Sequence, residues 1–260
     1  MKKLKVLLID IDNFLETQIL KWVFLRKGIQ VVRPDSQKEL LENFPYDLRK
    51  WEFRPDFVLV TYYNFSQLTW LISYLRNIES IGIRVVNSTE NIELFTDYLR
   101  RSQILSQKGY QIPNFYHGCS SKIPEHLGKM VVCKTLKEHQ TFLCPRTGIH
   151  SLNSPIFVES CIANPKKKIL TIYYVDGLIW ARWKEDALQT KKRNRELITD
   201  LSGFAEEKKI VGKIAQDFGL VFFNVEFVEG YVIDVNTIAN LFYSQHLQPL
   251  EALADWFLNQ

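Results

Sequence analysis

The sequence lacks several features that would assign it to a specialised class of protein. No window approaches the roughly 20 consecutive apolar residues of a membrane-spanning helix, although 46% of the 260 residues are hydrophobic. The four cysteines form no C-x-x-C pair, so no zinc or redox motif is predicted and we expect buried, reduced thiols. No internal repeat or low-complexity segment is visible. What is left is an ordinary globular protein of one or two domains.

An apolar signal segment is also missing from the start of the sequence. Met1, Lys2 and Lys3 lead directly into a predicted strand, without the apolar core and small-residue cleavage site of a secretory signal. We therefore expect a cytoplasmic protein with no membrane association.

A strong charge of one sign is absent too, since the net formal charge is only +4. This modest excess predicts no nucleic-acid partner. The positive charge is concentrated in two runs, residues 166–168 and 191–195. Short basic runs occur both at sites for anionic ligands and on solvated loops, and the sequence leaves both interpretations open.

Four short apolar runs in the first third of the chain predict strands, at residues 5–9, 29–32, 57–60 and 84–86. Helical patterns separate the first strand from the second and the third from the fourth. Such alternation of strands and helices is typical of an open α/β sheet. We expect this part of the chain to form a lobe of its own, up to residue 88.

Two aspartates, Asp10 and Asp12, follow the first strand in the turn DIDNFL. This turn resembles the first motif of the haloacid-dehalogenase phosphatases, in which the first aspartate is a nucleophile and the second a general acid. Thr61, after the third strand, is similar to the second motif of that family. No acidic pair follows a later strand of this lobe, so the magnesium site of such a phosphatase would be incomplete. A phosphatase using Asp10 and Asp12 stays an alternative.

The pattern changes after residue 88. A helical stretch is predicted over residues 89–108, with Asn87 and Ser88 before it and Gly109 after it. Short strands follow, of which one ends in Lys134 and another in Glu159. Asp176 and Gly177 then predict a type I′ hairpin turn. We expect α+β structure here, with a last helical segment at the end of the chain.

The most informative stretch is residues 218–236, FGLVFFNVEFVEGYVIDVN, which predicts a β-hairpin. A two-residue loop would mix carboxylates and core residues on each face. A three-residue loop at residues 229–231 places Glu226 opposite Asp234, with Asn236 on the same face. The opposite face is then uninterrupted and apolar, and consists of Val221, Phe223, Val225, Phe227, Ile233 and Val235. The pattern therefore predicts the three-residue loop.

In that register the Cβ atoms of Glu226 and Asp234 lie roughly 5 Å apart, where two like charges repel. Two carboxylates and an amide oxygen are ligands that suit Mg²⁺, which proteins hold through one or two carboxylates together with substrate phosphates. An exposed hairpin with one polar face is the alternative, because alternation alone indicates only half-burial. Glu226, Asp234 and Asn236 are thus candidate metal ligands.

Several segments, taken in order, resemble the ATP-grasp ligases over nearly the whole chain. They include TDYLRRSQILSQKGYQIP, MVVCK, FVESCI, YYVDGLIWARW and VEFVEGYVIDVN. The similarity is to the branch that contains the ribosomal-protein glutamate ligases and glutathione synthetase, and FVESCI is also similar to the hinge of D-alanine–D-alanine ligase. The resemblance implies the ATP-grasp fold, an N-terminal open α/β lobe followed by two α+β lobes that clasp a nucleotide. The corresponding domains would be residues 1–88, 89–158 and 159–260.

The resemblance also implies a function, the ATP- and Mg²⁺-dependent joining of a carboxylate to an amine or thiol through an acyl-phosphate. The substrates would be a small-molecule or peptide carboxylate and an amine acceptor. Lys134 would contact the phosphates, and Glu159, Cys161 and Ile162 would frame the adenine. Arg182, which faces Thr171 across its hairpin, would be catalytic through contact with phosphate, or would only lie at the rim of the sheet. Glu226, Asp234 and Asn236 match the metal ligands of the family.

The chain departs from the family pattern at several places. Tyr98 stands where many relatives have the first nucleotide-binding lysine, unless Arg100 or Arg101 substitutes for it. The segment after Lys134, TLKEHQTFLC, has no glycine where the family has a glycine-rich flap, and Lys166 replaces an acidic residue that often binds ribose. These departures keep a second function class open, an inactive nucleotide-binding module.

Overall fold

The structure of the chain, a computed structural model, is a mixed α/β assembly of three sheets. It describes residues 3–10, 15–34, 36–44, 50–62, 68–119, 122–135, 141–151, 156–190, 195–238 and 247–260. None of the helices within these ranges combines the length and the apolar character that a membrane crossing requires.

The first sheet has four parallel strands in the order β2-β1-β3-β4. The strands are β1 Lys5–Asp10, β2 Gln30–Val32, β3 Phe57–Tyr62 and β4 Arg84–Val86. The helices that belong to this lobe are α1 Leu15–Arg26, α2 Gln37–Asn43 and α3 Leu68–Ser80. Parallel strands are covered on both faces, which explains why β1 and β3 are continuous apolar runs. The predicted open α/β sheet is confirmed.

Two helices, and not one, occupy the stretch that the sequence predicts as helical over residues 89–108. They are α4 Thr89–Thr96 and α5 Tyr98–Gln107. Asp97 separates them, because its backbone is extended and its carboxylate accepts hydrogen bonds from the backbone N–H groups of Leu99 and Arg100. An aspartate that caps a helix in this way starts a new helix direction. The break sets the direction in which Tyr98 and Arg101 project.

The second sheet is antiparallel and has the order β5-β8-β6-β7. Its strands are β5 Phe115–Gly118, β6 Met130–Lys134, β7 Thr141–Pro145 and β8 Ile156–Ser160. Short 3₁₀ turns at Glu125–Leu127 and Arg146–Ser151 connect parts of it. Both strand ends singled out in the sequence, Lys134 and Glu159, belong to this sheet.

The third sheet is antiparallel and has the order β11-β10-β9-β12-β13. The strands are β9 Lys168–Val175, β10 Leu178–Glu185, β11 Arg195–Ile198, β12 Phe222–Val228 and β13 Tyr231–Asn236. A 3₁₀ turn at Ser202–Phe204 leads into α6 Ala205–Phe218, which packs on this sheet. The last helix is α7 Gln248–Leu258.

The hairpin of β12 and β13 confirms the predicted pairing of the carboxylates and corrects the predicted loop. Glu226 pairs with Asp234, and Asn224 with Asn236. The loop has two residues, Glu229 and Gly230, because Val228 pairs with Tyr231. Both loop residues have positive φ, +46° and +80°, as a type I′ turn requires.

The register shift that restores the pairing is a β-bulge between Val232 and Asp234. Because Ile233 is the extra residue, Val232 takes its predicted place in the core, where it is 2% exposed. Ile233 lines the cavity beside Glu226 and Asp234 instead. A bulge redirects a side chain in this way without changing the pairs beyond it.

The lobes are joined by shared packing and by one buried asparagine. A single apolar cluster contains Val6, Phe24, Val175, Phe222 and Phe257, so the last helix packs against α1, the first sheet and the third sheet. Asn87 donates hydrogen bonds to the carbonyl oxygens of Phe222 (2.5 Å) and Thr237 (2.8 Å) and accepts one from the backbone N–H of Val221 (2.9 Å).

We propose a division into three lobes, one for each sheet. The predicted boundary at residues 158 and 159 cuts through β8, Ile156–Ser160, which pairs with β5 and β6 of the second sheet. The boundary between the second and third lobes therefore fits better after Ser160. The final helix, predicted with the third lobe, also packs on the first.

Candidate functional site

A cleft of about 630 Å³ lies between the second and third sheets. The second lobe and the segment after it line one wall with Val132, Lys134, Leu143, Glu159, Cys161 and Ile162. The third sheet lines the other wall with Ile169, Lys184, Glu226, Val228, Ile233, Asp234 and Asn236. Seven of the eight site residues predicted from the sequence therefore line one cavity.

The three candidate metal ligands lie on one wall of this cleft. Glu226 and Asp234 are directly paired across β12 and β13, and Asn236 lies two residues beyond Asp234 on the same strand. Asn236 donates a hydrogen bond from Nδ2 to Oδ1 of Asn224 at 3.1 Å. Two carboxylates with a neighbouring amide are an oxygen-rich set of the type that holds Mg²⁺. The donor chemistry therefore fits the metal that the sequence predicts.

Each of these carboxylates is already paired with a cation of the protein. Nζ of Lys184 lies 2.5 Å from Oε1 of Glu226, and Nη1 of Arg101 forms an ion pair with Oδ1 of Asp234. Burial would raise the pKa of the Asp234 carboxyl, but Arg101, Lys134 and Lys184 outweigh burial and hold that pKa below its ordinary value. Asp234 is therefore ionised, and a metal ion would compete with Arg101 and Lys184 for its ligands.

Lys134 and Glu159 form the opposing pair on the other wall. Nζ of Lys134 lies 2.7 Å from Oε2 of Glu159, and both side chains are less than 10% exposed. Lys134 also donates to the carbonyl oxygen of Ile233 at 3.4 Å, which joins the two walls. A lysine ammonium is a compact point charge with three donors. It could turn to a phosphate that enters the cleft.

Cys161 and Ile162 follow β8 and lie half-buried against the cavity. Burial, with a smaller contribution from Asp186, raises the pKa of the Cys161 thiol, so the thiol is neutral at pH 7. An apolar cleft wall that presents a strand-end backbone suits a planar heterocycle. This part of the cleft is the candidate adenine site.

Tyr98, which stands at the position where the family resemblance implies a lysine, lines the cavity. Its ring stacks on Phe157 at 5.8 Å, and the charged groups of Arg101 and Lys134 lie 5.0 and 5.2 Å from its centroid. Burial, aided by the nearby Asp234 charge, raises the pKa of Tyr98 to about 12. The phenol therefore stays protonated, and its ring makes cation–π contacts with Arg101 and Lys134.

Arg182, predicted as catalytic, lies on the same face of the third sheet but is not one of the residues that line the cavity. The sheet register aligns it with Thr171, Glu226 and Asp234 in one row across four strands. It is 9% exposed, and its guanidinium lies 5.1 Å from the ring centroid of Tyr173. Its role in catalysis stays a proposal.

Lys184 and Arg101 contact the candidate metal ligands but are not among the site residues predicted from the sequence. The sequence nevertheless contains a signal for each of them. Lys184 is two residues after Arg182 on a strand, and alternation places both on one face. Arg101 was one of two candidates to replace the missing lysine. Of these, Arg100 is half exposed and its nearest carboxylate, 3.9 Å away, is that of Glu93, whereas Arg101 is buried and forms an ion pair with the cavity residue Asp234.

Asp186, another cavity residue, has a structural role. Its carboxylate accepts hydrogen bonds from the backbone N–H of Leu188 (3.0 Å) and from the side chains of Asn164 (2.9 Å) and Gln189 (3.0 Å). Three donors hold the turn that follows β10. Asp186 is 5% exposed, so its carboxylate stabilises the wall of the cleft and is scarcely accessible from the cavity.

Among the described residues at the carboxyl edge of the first sheet, Asp10 and Thr61 lack the exposure that a phosphatase site requires. The Asp10 side chain is fully buried, and its Oδ2 lies 3.5 Å from Nη1 of the buried Arg33. Thr61 donates from its hydroxyl to the carbonyl oxygen of Ile9 at 3.3 Å. A nucleophile must reach its substrate, which this burial prevents. Asp12 lies outside the described residues, as do residues 136–140 of the flap segment and 191–194 of the basic run.

Comparison with known proteins identifies the fold. No protein-family model and no curated protein matches the sequence. Solved structures match over nearly their full length. The RimK domain ATP-grasp protein of Sphaerobacter thermophilus DSM 20745 has a TM-score of 0.72 and 16% identity, covering 97% of this chain and 98% of that chain.

Two further neighbours were solved with a precursor bound. The ligase PsnB, complexed with a minimal precursor, Mg and ADP, has a TM-score of 0.71 and 14% identity over 100% of this chain and 98% of that chain. The macrocyclase MdnC of Microcystis aeruginosa MRC, bound to the precursor peptide MdnA, has a TM-score of 0.70 and 14% identity over 99% and 100%. The chain has the ATP-grasp fold, as the sequence predicts.

Proposed function

We propose that this chain, with its ATP-grasp fold, is an ATP-dependent ligase that joins a carboxylate to an amine. The observation that carries the proposal is the cleft itself. It brings Lys134 and Glu159 of the second sheet opposite Glu226, Asp234 and Asn236 of the third. A cavity of about 630 Å³ is within the size range of nucleotide and drug-sized ligand sites.

Each predicted residue has a role in this proposal. Glu226, Asp234 and Asn236 would hold Mg²⁺, which would neutralise the triphosphate of ATP. Lys134 would leave Glu159 to contact phosphate, and the backbone at Glu159, Cys161 and Ile162 would frame the adenine. Arg182, in the same row as Glu226, would stabilise charge that develops on the transferred phosphoryl group.

The resemblance to the ATP-grasp ligases implies the reaction class. A carboxylate oxygen of the substrate attacks the γ-phosphorus and ADP leaves, which gives an acyl-phosphate. The amine then attacks the acyl carbon, phosphate leaves, and the nitrogen loses a proton, so that a C–N bond is formed. The residues of the chain would bind and orient these groups and exclude water from them.

The substrate class is a small-molecule or peptide carboxylate with an amine acceptor. PsnB was solved with a precursor, Mg and ADP, and MdnC with its precursor peptide. Their fold is shared by this chain over nearly its full length. This supports a peptide as the first substrate class to test.

A nucleotide-binding module without ligase activity is the second candidate. Tyr98 in place of a lysine favours the binding module, because a neutral phenol gives a phosphate no positive charge. The pairing of both metal-ligand carboxylates with Lys184 and Arg101 favours it as well, since each pair must open before a metal ion binds.

Thermal unfolding with and without Mg²⁺ and ATP tests nucleotide binding. A ligand present at 100 times its Kd should stabilise the wild type by about 2.7 kcal/mol. The variant Lys134→Met should lose most of this stabilisation, whereas Lys129→Met, an exposed lysine next to the same strand, should keep it. Equal stabilisation of both variants would contradict the proposed site.

ADP release then separates the two candidates. A ligase should form ADP only when a carboxylate substrate is present, and it should sustain ADP release over many turnovers only when an amine is present as well. A panel of peptides with acidic side chains is the first set to assay. Binding of Mg²⁺ and ATP without ADP release across the panel would favour the binding module.

A further inference from the structure

Arg101 is a buried cation on α5 whose guanidinium pairs with Asp234, one of the candidate metal ligands on β12 and β13 that form the metal-ligand edge of the cleft. Tyr98 and Arg101 are one helical turn apart, so both side chains project from the same side of the helix. Arg101 is 3% exposed, and its guanidinium lies 5.0 Å from the ring centroid of Tyr98. It therefore occupies the space beside the position where the resemblance predicts a phosphate-binding lysine.

The guanidinium of Arg101 is only partly satisfied. Nη1 donates to Oδ1 of Asp234 and to the carbonyl oxygen of Phe95 at 3.4 Å. Nη2 is buried and has no hydrogen-bond partner among the residues that the structure describes. A guanidinium can bind a carboxylate or a phosphate through two parallel N–H donors, and Asp234 engages one nitrogen here. A buried donor without a partner is costly, so this pairing is not the best that Arg101 can form.

Asp234 has two competing partners in the proposed function. A divalent ion needs its carboxylate as a ligand, and that carboxylate now neutralises Arg101. If the ion alone displaced Arg101, a buried guanidinium would lose its counter-charge, which is strongly unfavourable. A phosphate group in the cleft would supply the charge that Asp234 gives up.

We propose that Arg101 exchanges partners on ligand binding, from Asp234 in the empty cleft to a phosphate of the nucleotide when Asp234 binds the divalent ion. The inference rests on the proposed function. It makes metal and nucleotide binding mutually dependent, because each ligand removes the cost of the other's binding. The empty protein should therefore have a low affinity for the metal alone.

The variant Arg101→Met tests the exchange, with Arg100→Met as its matched control. The two arginines are adjacent, but Arg100 is half exposed and its nearest carboxylate is Glu93 at 3.9 Å. Mn²⁺ binding to the nucleotide-free protein is followed by electron paramagnetic resonance, and ADP binding in the presence of Mg²⁺ by calorimetry. In Arg101→Met we expect Mn²⁺ alone to bind roughly tenfold more tightly and ADP with Mg²⁺ roughly tenfold more weakly.

The opposite signs of these two changes separate partner exchange from a purely structural role. A structural ion pair that positions α5 would weaken both affinities on removal, and an uninvolved residue would change neither. Either result would overturn the inference, as would an equal effect of Arg100→Met. Arg101→Lys keeps the charge without the two parallel donors and should fall between the wild type and Arg101→Met in both titrations.

A second variant keeps the test decisive if Arg101→Met does not fold. Asp234→Asn weakens the hold on Arg101, so ADP in the presence of a chelator should bind more tightly than it does to the wild type. Unchanged or weaker metal-free binding would contradict the exchange. The wild-type titration with Mg²⁺ and ADP is judged separately, because its failure would refute nucleotide binding and hence the proposed function itself.

Discussion

Two arginine–aspartate pairs lie in different parts of the molecule and have different surroundings. Arg33 and Asp10 are 3.5 Å apart in the first lobe, with side chains 2% and 0% exposed. Arg101 and Asp234 meet at the cleft, where the Asp234 side chain is 29% exposed. A sealed pair contributes to folding and cannot reach a ligand. A pair beside a cavity can exchange one partner for a ligand.

The comparison shows why short acidic motifs are weak evidence for function. Asp10 stands at the end of a buried strand, where a phosphatase nucleophile would stand, and Asp234 stands within a hairpin strand. The sequence around either aspartate gives no measure of access. Burial of the Asp10 side chain decides against a nucleophile, and the cavity beside Asp234 favours a ligand-binding role.

The largest effect should come from opening the sealed pair. Asp10→Asn keeps the shape of the side chain but leaves Arg33 buried without that counter-charge, which should destabilise the protein by about 3–5 kcal/mol. Denaturant unfolding measures the loss. The folded fraction should bind Mg²⁺ and ATP with wild-type affinity, because Asp10 lies outside the cleft.

The matched control for this variant is the exposed pair of Lys27 and Asp255, 2.7 Å apart, with side chains 34% and 52% exposed. Asp255→Asn should cost less than about 1 kcal/mol, since water solvates both partners. Equal losses in Asp10→Asn and Asp255→Asn would contradict the distinction between sealed and exposed pairs.

Opening the pair of Arg101 and Asp234 should change ligand affinity more than stability. Asp234→Asn removes a full charge from the metal-ligand set, so affinity for ATP with Mg²⁺ should fall by roughly 10- to 100-fold. Stability without ligand should fall less than in Asp10→Asn, because the Asp234 side chain is 29% exposed whereas that of Asp10 is fully buried. Calorimetric titration of both variants checks the order, and wild-type affinity in Asp234→Asn would refute the metal site.

The reactivity of cysteine thiols measures solvent access both at the cleft and in a sealed core. Burial raises the pKa of Cys133 to about 11, and it raises the pKa of Cys161 as well. A higher pKa leaves less thiolate at pH 7 and makes the rate of alkylation rise with pH. Cys161 lines the cleft, whereas Cys133 is fully buried in the core of the second lobe.

We therefore expect exposed Cys119 to react first, Cys161 roughly tenfold more slowly, and Cys133 only on unfolding. The exposure of Cys119 corrects the expectation that the thiols are buried. ATP with Mg²⁺ should protect Cys161 and leave Cys119 unaffected. Peptide mapping after timed alkylation gives the rates, and equal protection of Cys119 would indicate a general change in the protein and not occupancy of the cleft.

Local patterns predicted the parts of this molecule that depend on neighbours in the sequence or across one turn. Period-2 alternation correctly paired Glu226 with Asp234. The position of Arg101 depends on the break between α4 and α5 at Asp97 and on the approach of α5 to β13. Such contacts between distant segments leave no periodic signal, so the pairing of Arg101 with Asp234 could not be predicted.

The hairpin also shows how a correct pairing can follow from a wrong loop. Three loop residues without a bulge, or two loop residues with a bulge at Ile233, give the same pairs from Glu226 and Asp234 onwards. The apolar pattern alone does not separate them, because Val232 and Ile233 are equally apolar. The backbone settles the question, since Glu229 and Gly230 both have positive φ.

The smallest effect should come from the turn that carries the metal-ligand edge. Glu229 has φ of +46° and is exposed, a conformation that is strained for most side chains and that asparagine adopts more readily. Glu229→Asn should therefore stabilise the protein by roughly 0.5–1 kcal/mol without changing the affinity for ATP with Mg²⁺, because Glu229 is outside the cleft. Urea unfolding with a parallel ATP titration makes the measurement.

Asp176→Asn, in the matching turn of β9 and β10 with φ of +44°, is the control and should change stability little, since aspartate already tolerates this conformation. A loss of stability in Glu229→Asn would contradict the strain that the positive φ assigns to residue 229.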